Sequence, residues 1–241
     1  METLKRFFRR RYAFVLACVT ALTFSGIASA QTTVTFDDLS TPGMSGTAGI
    51  GTVPTPYAGL SWTCAGNPSC QVINGSTYGA NPSGYQGAVV STPNVLSTGY
   101  GGGQNATELT IAPAAGGTFT FNSAYFTGAW LDGVTVSVAG MALVNGAKTQ
   151  VDSATFVLGS AGVPTFYTFN WGNLTSVVIT PSGGTHHAGY AFSLLILAID
   201  NLTYNGPVNT TSTDGPIPPW ALGALGVGLV GIASRRLKRA A

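Results

Sequence analysis

The clearest order along the chain is an alternation with a period of two residues. Val134, Val136 and Val138 alternate with Thr135 and Ser137, and Phe119 and Phe121 alternate with Thr118 and Thr120. This is the pattern of strands with one buried face. Further strands are predicted over 33–36, 59–63, 107–111, 123–130, 150–157, 165–171 and 175–180, each bounded by Gly, Pro, Asn or Ser clusters. Asn145-Gly146 is a type I′ turn signal, so 134–144 and 148–157 are expected to form a hairpin. The run Phe192 to Ile199 is nearly all apolar, too short to cross a membrane, and fits a central strand. The Gly/Ser/Pro/Tyr-rich stretch from Gly75 to Gly103 lacks alternation and reads mostly as loop. Nothing between 31 and 209 has helical periodicity, and no repeat of fixed period occurs. The pattern predicts an all-β sandwich over 31–209.

The two ends of the chain are patterned differently. A basic stretch is followed by the apolar run Tyr12 to Phe24 and then by Ser25-Gly26-Ile27-Ala28-Ser29-Ala30. Small residues at Ala28 and Ala30 fit a signal-peptidase site, so residues 1–30 are expected to be a signal peptide cut before Gln31, with signal peptidase as a partner. At the far end, the polar linker 210–216 leads into Pro216-Ile-Pro218-Pro219-Trp220, an uncharged apolar stretch, and the basic tail Arg235, Arg236, Lys238 and Arg239. Ile217 to Ser234 would measure about 27 Å as a helix, against a bilayer core of about 30 Å. The basic tail would stay cytoplasmic, leaving the preceding domain outside, as the signal peptide also requires.

A proline motif, an apolar helix and a basic tail, in that order over 217–241, resemble the PEP-CTERM class of bacterial sorting signals. That resemblance implies an exosortase-type sorting enzyme as partner and cleavage or anchoring at the inner membrane. The chain departs from the family at the motif, where Pro216-Ile-Pro218 stands in place of Pro-Glu-Pro. A plain, unprocessed C-terminal anchor is the alternative.

Charge narrows the function classes once the charged residues are placed. Of 241 residues 45% are hydrophobic and only 7% charged, which excludes a charged coiled coil or an ordinary disordered tail. The net charge of +2 is misleading, because the bases cluster at the two ends and Lys148 is the only one between Tyr12 and Ser234. Asp37, Asp38, Glu108, Asp132, Asp152, Asp200 and Asp214 oppose that single lysine. Such a surface cannot neutralise phosphates, and nucleic-acid binding is excluded. If Cys18 leaves with the signal, Cys64 and Cys70 remain as an even pair in an oxidising compartment, and a disulfide closing a small loop is expected.

A second resemblance runs through Thr35-Phe-Asp-Asp38, Tyr57-Ala-Gly-Leu-Ser-Trp62, Tyr125-Phe-Thr-Gly-Ala-Trp130, Phe166-Tyr-Thr-Phe-Asn-Trp171, Val177-Val-Ile and Ile199-Asp-Asn-Leu-Thr203. In this order they are similar to the jelly-roll domains of PEP-CTERM-type exported proteins, whose fold is similar to galactose-binding-like carbohydrate modules. The resemblance implies a jelly-roll-like β-sandwich and a role at the cell surface or in extracellular polysaccharide.

Candidate chemistry is sparse. Asp37 and Asp38 close the first strand and Asp200 sits in the last, so pairing of the terminal strands would gather hard oxygen donors of the kind calcium takes. The alternative is that they cap strands and turns. Trp62, Tyr85, Tyr100, Tyr125, Trp130 and Trp171 could stack on sugar rings. Tyr167, Phe169 and Trp171 share a strand face that reads as core, and Trp130 ends an apolar strand, leaving Tyr85 and Tyr100, in Gly-rich loops, as the expected stacking residues. His186 and His187 read as a solvated loop pair, and Asp132 as the closure of a turn. No HExxH, GxSxG or Walker lysine is present, and Glu108 is the only glutamate after the signal, so no catalytic constellation is evident. The expected function is that of a non-catalytic, exported surface or matrix protein. The alternative is a carbohydrate-binding module with a defined glycan site.

Overall fold

The computed structural model describes residues 31–43, 49–65, 70–78, 82–99 and 108–206. The signal peptide with Ala28 and Ala30, Tyr100, the sorting motif at Pro216, Pro218, Pro219 and Trp220, the C-terminal helix and the basic tail lie outside the described residues. Among the described residues no helix is long and apolar enough to cross a membrane.

Among the described residues, two large antiparallel sheets face each other. Fourteen strands run in chain order: β1 (Gln31–Val34), β2 (Ile50–Thr52), β3 (Leu60–Cys64), β4 (Gln71–Asn74), β5 (Asn94–Ser97), β6 (Leu109–Pro113), β7 (Phe119–Gly128), β8 (Leu131–Asp132), β9 (Thr135–Val144), β10 (Ala147–Val157), β11 (Thr165–Leu174), β12 (Ser176–Ser182), β13 (Thr185–His186) and β14 (Leu197–Asn205). One short helix, α1 (Tyr85–Ala88), precedes β5. The first sheet has the order β11-β7-β14-β5-β4-β2, the second the order β10-β9-β12-β6-β3, and β13 pairs with β8 in a separate two-stranded sheet. β1 pairs with the end of β14, Gln31 opposite Asn205, while β5 pairs with its beginning, Ser97 opposite Ala198. One edge of β14 thus serves two neighbours in succession.

The alternation explains the core. From the second sheet Val136, Val138, Ile179, Val177, Leu109, Ile111, Leu60 and Trp62 are buried, and from the first Phe119, Phe121, Phe126, Leu197, Ile199, Leu202 and Tyr204. Phe36 takes a left-handed backbone (φ 63°) straight after β1, and its buried ring meets Trp62 edge-on at 5.3 Å. Between β10 and β11 the open side of the sandwich is closed by aromatics, with Phe156 stacked on Tyr167 at 3.5 Å. Gly140 permits this closure, since a Cβ there would lie 3.0 Å from Leu174 and 3.2 Å from Trp171. The predicted hairpin forms as expected, with Asn145 and Gly146 both at positive φ (52° and 80°) between β9 and β10.

Three expectations are corrected. The apolar run 192–199 supplies only the first part of the central strand, which covers Leu197–Asn205, while Phe192 is 45% exposed. The stretch 75–103 holds α1 and the wholly buried strand β5, whose four residues are too few to alternate visibly. The expected strand 123–130 and the Phe119/Phe121 pair belong to one strand, β7, whose alternation is broken in the middle. Cys64 and Cys70 are joined as expected, with Cα atoms 5.2 Å apart.

Candidate functional site

The break in β7 shapes the outer face of the first sheet. Phe119 and Phe121 point inward, then Asn122 is an extra residue, and Ala124 and Phe126 point inward again. The neighbouring strands are interrupted at the same level. β11 shifts register between Thr168 and Trp171, and β14 between Asp200 and Thr203. Asn170 and Asn201, inside those shifts, take left-handed backbones (φ 54° and 46°), a conformation asparagine tolerates better than other side chains. Three adjacent bulges bend the strands together and re-aim their side chains.

The result is a groove of about 450 Å³ lined by Gln31, Thr33, Asn122, Ser123, Tyr125, Phe166, Thr168, Asn170, Asn201 and Thr203. None of these ten side chains carries a formal charge. Tyr125 and Phe166 are direct cross-strand partners on β7 and β11, with ring centroids 4.9 Å apart and planes tilted by 46°. Phe166 is 51% exposed. Around these rings stand hydroxyls and amides already oriented by one another. The Ser123 and Thr203 hydroxyls lie 2.6 Å apart, and Asn122 donates to the Asn205 side chain. The Asn201 Oδ1 atom is buried without a hydrogen-bond partner. The groove therefore combines apolar ring faces with neutral donors and acceptors, the pairing that holds and orients an uncharged polar ligand.

The predicted site residues fall elsewhere. Tyr85 is 3% exposed, its ring set edge-on to Tyr78 and Trp130 and its hydroxyl 2.8 Å from Ser97, so it is core and offers no stacking surface. Burial pushes its phenol well above the usual range. Trp62 and Trp130 are also buried, and Trp171 packs beside Phe169 as expected. The loop-rich composition around Tyr85 concealed that α1 folds back onto the sheet.

Asp37, Asp38 and Asp200 are each engaged by protein donors. β1 and β14 do pair, but Asp200, 1% exposed, accepts from the backbone N–H groups of Val90 (2.7 Å), Ser91 (2.9 Å) and Asn201 (2.7 Å) and from the Ser91 hydroxyl. Asp37 accepts from the Asn94 N–H at 2.9 Å, and Asp38 from the Tyr57 hydroxyl. Among the described residues no three His, Cys, Asp or Glu side chains are grouped as a metal ion would need. Asp200 and Asp37 tie the α1–β5 connection and the start of β5 to the junction of β1 and β14. Burial pushes the Asp200 carboxyl up to about 6 against the pull of its backbone donors.

His186 is exposed as expected, whereas His187 is half-buried. His187 Nδ1 lies 2.8 Å from the Asp132 carboxylate, which also accepts the Ala161 N–H at 2.6 Å, and His186 Nε2 lies 2.9 Å from the Tyr190 carbonyl. The Ala161 bond, reinforced by His187, holds the Asp132 carboxyl below its usual range. Asp132 therefore closes more than a turn; it clasps three loops.

Sequence reasoning named Tyr125 among six possible stacking residues without selecting it, and missed Phe166. The available signal was the alternation of Phe166, Thr168 and Asn170 against Tyr167, Phe169 and Trp171, which places a phenylalanine on a face otherwise polar.

No model of a known protein family matches the chain. No curated protein matches it either. Among solved structures it is similar to a DUF4465 family protein from Bacteroides caccae, at 10% identity and a TM-score of 0.45 over 73% of this chain and 98% of that one. It is also similar to the family 32 carbohydrate-binding module of NanJ from C. perfringens, solved with galactose, at 15% identity and a TM-score of 0.33 over 61% and 94% of the two chains. A third is the family 29 carbohydrate-binding module CBM29-2, at 12% identity and a TM-score of 0.31 over 73% and 93%.

Proposed function

We propose that the domain binds an uncharged polysaccharide along the groove on β11, β7 and β14, without acting on it. The observation that carries this reading is the Tyr125–Phe166 pair standing in a groove whose other lining residues are neutral Ser, Thr, Asn and Gln. Ring faces accept the apolar C–H face of a pyranose, and the flanking hydroxyls and amides meet its equatorial hydroxyls. Hydrolysis would need two carboxyl groups across the bond to be cut, and the groove lining contains none. The export of this domain, by a cleaved signal peptide and a PEP-CTERM-like C-terminal signal sorted by an exosortase-type enzyme, is part of the same proposal and is supported by the sequence of the two ends. Its place is then the cell envelope or the surrounding matrix, where polysaccharide is the partner at hand.

The experiment is native gel electrophoresis through gels containing galactan, mannan, glucan or xylan, with alginate as a charged control. Retardation by a neutral polymer, abolished in Tyr125→Ala/Phe166→Ala, is the expected result. Retardation that survives the double substitution, or that occurs only with alginate, would overturn the proposal.

A further inference from the structure

The hairpin of β9 and β10 runs past the end of its sheet. β12 pairs with β9 only from Thr135 to Met141, so Ala142, Leu143 and Val144 have β10 alone as a neighbour. Three residues at about 3.3 Å each carry the tip roughly 10 Å beyond the sheet. Its aliphatic side chains stand in solvent, with Leu143 63% and Val144 43% exposed. Directly opposite Leu143 stands Lys148, the only basic residue between Tyr12 and Ser234, and no acidic residue occurs from Met141 to Val151. In a domain that is otherwise acidic, its one lysine stands opposite the most exposed aliphatic side chain among the described residues, Leu143.

The same end of the sandwich is where the chain leaves the fold. Leu174, whose side chain meets the Gly140 position, pairs with Phe119, and the adjoining Thr120 pairs with Asn205, the last residue of β14. Ten residues, 207–216, then separate Gly206 from the apolar run that begins at Ile217.

We infer that the β9–β10 tip is a membrane-contact element that seats on an anionic lipid surface. Leu143 and Val144 enter the boundary between headgroups and acyl chains, and Lys148 lays its methylene stem along Leu143 while its ammonium stays at the level of the lipid phosphates. The groove of β11, β7 and β14 is a separate surface, so neither assignment depends on the other.

Hydrogen exchange of the full-length protein tests this, with vesicles of phosphatidylglycerol and phosphatidylethanolamine against vesicles of phosphatidylcholine. The apolar C-terminal stretch and the basic tail are present in every arm, so the variants at the tip assign any slowing of 142–149 to the tip itself. Amides of 142–149 are expected to exchange about tenfold more slowly on the anionic vesicles. Lys148→Glu and Leu143→Ser/Val144→Ser should each remove that slowing while the amides of β7 and β14 stay protected, which shows the fold is kept. Equal exchange on both vesicles would overturn the inference. So would slowing in lipid-free buffer that grows with protein concentration, since the tip would then be covered by a second copy.

Discussion

Asp200 and Tyr125 stand directly opposite each other on β14 and β7, one carboxylate spent inside the fold and one ring turned to the groove. Cross-strand partners share a sheet face, so both begin on the outer side. The α1–β5 connection roofs Asp200 through the Val90 and Ser91 amides, and Tyr125 lies beyond that roof. The border of the groove is therefore set by a buried carboxylate.

That carboxylate gives the domain an unusual pH dependence. Its folded value of about 6 lies above the ordinary 3.8, so between these values the folded state holds a proton that the unfolded chain has lost. Stability then rises as pH falls from 6 towards 4, by at most roughly 3 kcal/mol from this group. Asp132 has the opposite sign, because its lowered value means its contribution is present above the ordinary carboxylate range and is lost at more acid pH. Urea midpoints measured from pH 7 to pH 4.5 should increase in the wild type, and Asp200→Asn should flatten that rise. A wild-type midpoint that falls with acid across this window, in parallel with the variant, would contradict the assignment.

Removing Asp200 outright has a different consequence. Asp200→Ala strands the Val90 and Ser91 amides, and the expected loss is about 3 kcal/mol, as for other buried charged acceptors. Chemical denaturation at neutral pH reads this directly. Exchange of the Val90 and Ser91 amides should rise by more than that of β9, since the roof detaches first.

In the groove, stability and affinity should separate. Phe166 is half exposed, so Phe166→Ala should change stability by less than about 1 kcal/mol while weakening neutral-glycan binding about tenfold, near 1.4 kcal/mol. With no charged side chain in the lining, calorimetric affinity should stay constant between about 0.05 M and about 0.5 M salt. Strong salt dependence would point to a ligand held by charge, for which the lining offers no side chain.

The disulfide offers a prediction independent of any ligand. Cys64 and Cys70 are 1% and 0% exposed and close a loop with a sequence separation of six. A loop that short contributes about 2 kcal/mol in the chain-entropy picture. Cys64→Ser/Cys70→Ser should lower the thermal midpoint accordingly, and reductant should act on the native wild type only slowly, because both sulfurs are covered.

What could be read from the sequence follows from what alternation encodes. β9, β10 and their turn were legible because Val136 and Val138 are buried in unbroken alternation and Asn145-Gly146 fixes the register. The groove was not, because it is made where alternation fails. The extra residues at Asn122 and Asn201 invert the faces of their strands, and a period of two cannot be followed across them. Tyr85 misled for a related reason. Its glycine-rich surroundings suggested an exposed loop, yet Gly84 and Gly87 approach the backbone at Gly128 and Gly162 so closely that a Cβ would lie 2.7 Å and 2.2 Å from it, and this contact buries the ring. The three aspartates were rightly placed near paired terminal strands, but a sequence carries no sign of which backbone amides will claim a carboxylate.

The bulge asparagines allow the fold and the site to be tested with one pair of variants. Asn170 takes φ 54° in an exposed part of β11 and lines the groove. Alanine cannot adopt that backbone without strain, so Asn170→Ala should cost about 1 kcal/mol, whereas Asn170→Gly should stay within a few tenths of the wild type. If the bulge positions Phe166 and Thr168, Asn170→Gly should bind glycan with affinity reduced only by loss of the amide, while Asn170→Ala should also disturb the Tyr125–Phe166 ring contact. Denaturation midpoints together with near-ultraviolet circular dichroism would distinguish the two. Equal stability of the alanine and glycine variants would mean that the left-handed backbone at Asn170 is not what holds this part of the sheet in shape.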